Sequence, residues 1–218
     1  MPKIHKPHDC ALLLAIPVHR KEFLDGLAKH SDKDFAKEFQ EKFSDIPEEK
    51  LWEDHYSKQA ARILQAANFV RQLHCTMKES CSSVDLTRAL EKHSVVALVA
   101  HVVSPGLREK LPPEFDPREL LRETKVEFAD GLLPGEKFLG LIPPAFSGVL
   151  DLRTCNSVIL GESLKSMRRD FLVMENVQRL FPVIQLIAFQ HTIATLNVYD
   201  RDYLQASQEA RMELAIGA

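Results

Sequence analysis

His101 and Cys155 are the residues whose types and placement allow chemistry: an imidazole and a thiol, 54 residues apart, each closing a short apolar run. The runs, 94–101 and 148–155, are rich in branched apolar side chains, as buried parallel strands are. Open α/β sheets bind and react at the carboxyl ends of their strands. Two neighbouring strands of this kind would therefore deliver both groups to one rim, where a thiol beside an imidazole forms a nucleophile and base. A thiol attacks as thiolate. The His101 ring, the positive end of a helix starting at Asn156, and Arg153 would all lower the pKa of Cys155. Period-2 alternation puts Asp151, Arg153 and Cys155 on one face of their strand, a face more polar than a pure core strand needs. A lone cysteine at a strand end is more often a small buried hydrophobe, and a lone histidine a hydrogen-bonded core residue. Spacing and strand-end placement together favour the chemical alternative.

The surrounding pattern supplies elements to hold this pair. The run 10–17 predicts a first strand stopped by Pro17. Ser31 to Asp34 has the form of a capping box before Phe35, Phe39 and Phe43, a helical core stripe. Pro47 opens a helix whose apolar positions, from Trp52 through Val70 to Leu73 and Met77, predict nearly thirty residues. Ser82 caps a short helix reaching His93, and the His101 strand follows. A proline-rich loop spans 104–117, then a strand at 125–130 ends in the Asp130-Gly131 turn. A short helix over 136–141 leads to the Cys155 strand. A helix to about Arg169, a strand at 171–175, an apolar helix from Pro182 to about Asn197 and a last helix over 201–214 complete the chain. His19, just after the first strand, could lie near the same rim but is expected in a solvated loop, and His191 in the apolar helix is expected to be a satisfied core histidine.

Composition narrows the function. With 218 residues, 45% of them apolar, the chain can bury one sizeable core. A net charge of −3 with mixed signs gives no reason to expect nucleic acid. The longest apolar stretches fall well short of a membrane span, and no secretory segment precedes the first strand, so a cytoplasmic protein is expected. Cys10, Cys75, Cys81 and Cys155 lack paired spacing, so reduced thiols are expected. The sets His5, His8, Cys10 and His74, Cys75, Cys81 have no CxxC or HExxH core, so neither a metal nor another cofactor is expected.

The order of the His101 strand, Phe128-Ala-Asp-Gly-Leu132, Gly148-Val-Leu-Asp-Leu-Arg-Thr-Cys155-Asn-Ser157, helix, strand, long helix, and Asp202-Tyr-Leu-Gln-Ala to Ala210-Arg211 resembles the CHAT family of caspase-like cysteine peptidases over about residues 94–214. Cys155-Asn-Ser157 is also similar to the Cys-x-Ser of metacaspases. The resemblance implies a caspase-like α/β fold in one domain: a mostly parallel sheet flanked by helices, with a helical N-terminal part over 1–93 and the CHAT-like part over 94–218. It implies a peptidase in which His101 is the general base and Cys155 the nucleophile, with a protein substrate, a regulatory protein partner, and a role in prokaryotic defence or regulated cell death. Family members place glycine after the histidine, where its amide helps to bind the oxyanion. Val102 holds that place here, with an N–H but without glycine's backbone range.

In caspase-like enzymes the residue two before the nucleophile lines the pocket for the substrate side chain, here Arg153, which would select Asp or Glu. In the competing arrangement Asp151 neutralises Arg153, leaving Asp130 or another acid to select a basic residue. The main rival function is a catalytically inactive caspase-like interaction module. A small-ligand domain is the third, although no GxGxxG turn supports it.

Overall fold

The apolar run Cys10–Leu14, buried at every position, forms strand β1 of a computed structural model that describes residues 6–30, 46–103, 121–154, 157–175, 182–199 and 201–216. Helix α1 (Arg20–His30) follows, then α2 (Glu48–Leu51), which passes through a π-helical turn at Trp52–Tyr56 into α3 (Ser57–Gln72). Next come β2 (Thr76–Lys78), α4 (Ser83–Lys92), β3 (Val95–Val99) and the small strands β4 (Val102–Val103), β5 (Lys125–Phe128) and β6 (Gly131–Pro134). The chain ends with α5 (Gly135–Leu139), β7 (Val149–Leu152), α6 (Ser157–Met167), β8 (Leu172–Met174), α7 (Pro182–Val198) and α8 (Tyr203–Ile216).

Five strands pair in parallel in the order β2-β1-β3-β7-β8, while β4, β5 and β6 make a separate antiparallel sheet. Each parallel step needs a crossover, and the intervening helices cover both faces of the sheet. On one face Leu13, Leu98, Leu150 and Val173 pack with Leu86 of α4 and Leu160 of α6. On the other, Leu12, Val95 and Ala97 pack with Ile63 of α3, Phe189 of α7 and Tyr203 of α8. The fold is therefore α/β, a five-stranded parallel sheet between helices, consistent with the caspase-like expectation. The first strand, the capped helix after Ser82, the turn at Gly131 (φ 129°) and the order of elements after Cys155 follow the sequence pattern.

Two expectations change. The helix from Pro47 stops at Gln72 rather than near Met77: His74 (φ 65°) reverses the chain, and Thr76–Lys78 becomes an edge strand. Leu73 and Met77 fall at helical spacing, but a three-residue strand exposed at both ends has too little apolar pattern to announce itself. His191 is not a core residue, since its ring lies at the surface 3.5 Å from Glu213. The expected helix with Phe35, Phe39 and Phe43, and the proline-rich loop at 104–117, lie outside the described residues.

Candidate functional site

The two strands that precede His101 and Cys155 in the sequence are neighbours. β3 and β7 run parallel with Leu98 opposite Leu152, and the Arg153 amide donates to the Leu98 carbonyl at 2.9 Å. His101 lies just past the end of β3, where its carbonyl accepts the Glu127 amide at 2.9 Å. That bond joins the main sheet's rim to β5. Burial pushes the imidazole down to about 4, so His101 is neutral at physiological pH. Cys155 and Asn156 lie outside the described residues; Thr154 before them and Ser157 after them, the first residue of α6, are both buried. Val102 is an extended residue of β4 with its side chain in the core.

Arg153 is 2% exposed and faces inward. Its Nε and Nη2 donate to Asp151 Oδ2 at 3.0 and 2.8 Å, its Nη1 donates to the Gln185 carbonyl on α7 at 2.7 Å, and its guanidinium stacks 5.1 Å from the Phe189 ring centre. Tyr203 on α8 donates to the same Asp151 oxygen at 2.7 Å. This is the neutralised arrangement that the sequence left open. With its donors spent inside the protein, Arg153 is a poor partner for a substrate carboxylate, and Asp151 is equally enclosed. Asp130 lies on the β5–β6 turn, where its oxygens accept from the Ser83 amide at 2.9 Å and the Ser83 hydroxyl at 2.6 Å, fastening the start of α4.

Sequence reasoning missed a cleft that includes Glu127, the residue whose amide binds the His101 carbonyl. It holds about 110 Å³ at the end of β1 and is lined by Ile16, Pro17, Glu22, Asp25, Ser80 and Glu127, among others. Glu22 is held by the Ser80 hydroxyl and by the Val18 amide at 3.3 Å. Glu127 is 8% exposed, and burial pushes its carboxyl up to about 7. Alternation in 125–128 places Glu127 opposite Val126 and Phe128, a signal that one strand face is polar but not where it points. His19 is exposed, 3.1 Å from Glu79, solvated as expected. The other thiols are poor nucleophiles. Cys10, Cys75 and Cys81 are buried, and desolvation raises all three, Cys75 and Cys81 to about 12.

The described residues define an α/β protein with His101 at the carboxyl edge of its parallel sheet. No family model, curated protein or solved structure matches this chain. Among the described residues no helix is long and apolar enough to cross a membrane.

Proposed function

We propose that this chain is a cysteine endopeptidase of caspase-like type, with His101 as general base and Cys155 as nucleophile. The register of β3 and β7 carries the proposal: Leu98 and Leu152 are paired on neighbouring parallel strands, and His101 and Cys155 each follow three residues later in the sequence. His101 is neutral at pH 7, the protonation state in which an imidazole can take the thiol proton as the thiol attacks a peptide carbonyl. Protonation of the leaving amine by the resulting imidazolium, then hydrolysis of the acyl-enzyme, would complete the cycle. Glu22 and Asp25 in the cleft that includes Glu127 favour a substrate with a cationic side chain over the acidic one that Arg153 first suggested. The biological role in this proposal is signal-dependent proteolysis in the cytoplasm, in prokaryotic defence or regulated cell death, with a protein substrate and a regulatory protein partner.

One observation favours the rival, an inactive interaction module: Val102 is a strand residue with a buried side chain rather than a glycine turn. Incubating the full chain with candidate partner proteins, beside Cys155→Ala and His101→Ala, separates the two. Cleavage should be nearly abolished in each variant, because members of one catalytic unit do not add. The acidic limb of the wild-type pH profile should fall near the His101 value of about 4. Full activity in either variant would reject the dyad, and no cleavage of any partner by a folded wild type would favour the module.

A further inference from the structure

Asp151 and Arg153 form an ion pair whose side chains are 0% and 1% exposed, on the last turn of strand before Cys155. Burying such a pair removes two charges from water, and an apolar pair of similar volume is commonly as stable or more so. Stability alone therefore does not account for it. The geometry is that of a lock. Arg153 is held by Asp151 on its own strand, by the Gln185 carbonyl and Phe189 on α7, and, through Asp151, by Tyr203 on α8. Burial and then the Asp151 charge push the Tyr203 phenol well above its ordinary 10, so it stays protonated and donates. Arg211 of α8 adds a contact, with Nη2 3.7 Å from Asp151 Oδ1 and Nη1 donating to the Glu175 carbonyl at 3.3 Å. Meanwhile the Arg153 amide grips Leu98, three residues before His101.

We propose that Tyr203, Asp151 and Arg153 are positioning residues: their network fixes the backbone at Arg153 and Thr154 and so sets the reactivity of Cys155 toward its base. This inference rests on the His101/Cys155 proposal. A triple variant, Asp151→Leu/Arg153→Met/Tyr203→Phe, replaces the network by apolar side chains without leaving a charge stranded, and Tyr203→Phe alone removes one donor while keeping the ring.

The full chain is alkylated with iodoacetamide across the neutral pH range, and each of the four cysteines is followed by peptide mapping beside a thermal melt. Wild type should modify Cys155 fastest, with a pH profile that His101→Ala changes. In the triple variant the Cys155 rate should fall by about tenfold or more, as misplacement of a reacting group does. Cys10, Cys75 and Cys81 should stay protected and the melting midpoint should hold or rise. Tyr203→Phe should give a smaller fall in the same direction. An unchanged Cys155 rate in the folded triple variant overturns the proposal. So does loss of protection at Cys10, Cys75 and Cys81, which makes the network a stability element only. A wild type whose Cys155 shows no His101-dependent profile fails earlier, at the dyad itself.

Discussion

His101 and Glu127 are joined through the backbone, yet their side chains titrate in opposite senses. His101 sits at about 4 against an ordinary 6.5, so the unfolded chain takes up this proton first. The stability contributed by the neutral imidazole is whole above pH 6.5 and is lost as pH falls toward 4. Glu127 sits at about 7 against an ordinary 4.5, so its contribution is whole below pH 4.5 and is lost as pH rises through 7. Between the two ordinary values the effects oppose each other. Glu127→Gln keeps a neutral side chain of nearly the same shape and removes only the second dependence. Urea midpoints at about pH 5 and about pH 8 should show the variant gaining on the order of 2 kcal/mol relative to wild type at the higher pH. An equal pH dependence in both proteins would mean that Glu127 is ionised in the folded state.

At the scale of elements, the contact between β3 and β7 depends on a glycine. Gly148 enters β7 so close to the start of β3 that an added Cβ would stand 2.0 Å from the Ser94 carbonyl oxygen, a backbone atom that no side-chain rotation can move. That carbonyl also accepts the Val149 amide at 2.8 Å, the first rung of the ladder that sets the Leu98–Leu152 register. Gly148→Ala should therefore displace one strand against the other and cost about 3 kcal/mol. It should also lower the proposed peptidase activity by more than the loss of folded protein explains, since the register aligns the ends of β3 and β7. A denaturation curve and an activity assay on the folded fraction check both parts; wild-type stability would show that the strands part easily here.

For the whole molecule, α8 is part of the core and not an appendage. Tyr203, Ala206 and Ala210 are buried, Tyr203 closes the Asp151–Arg153 pair, and Arg211 reaches both Asp151 and Glu175. Removing residues 201–218 uncovers α7 and strips Asp151 of its α8 partners, leaving buried charge poorly compensated. The shortened chain should lose its cooperative thermal transition and become sensitive to proteolysis. A sharp melt close to that of the full chain would place α8 outside the cooperative unit.

The sequence by itself determined what depends on local pattern. Branched apolar runs marked β1, β3 and β7, Ser82 and Asp85 marked the start of α4, and Asp130-Gly131 marked the turn before β6. It also placed His101 at the end of a strand and Asp151 and Arg153 on one strand face. Where that face points was settled by tertiary packing. Alternation cannot distinguish a polar face at an open rim from one buried under two helices, and only α7 and α8, thirty to sixty residues away in sequence, enclose Arg153. The adjacency of β3 and β7, the edge strand β2 and the acid-lined cleft likewise arise from contacts between distant segments. Short-range periodicity records which residues are apolar, whereas the partner of a buried charge is chosen by the chain's return through space.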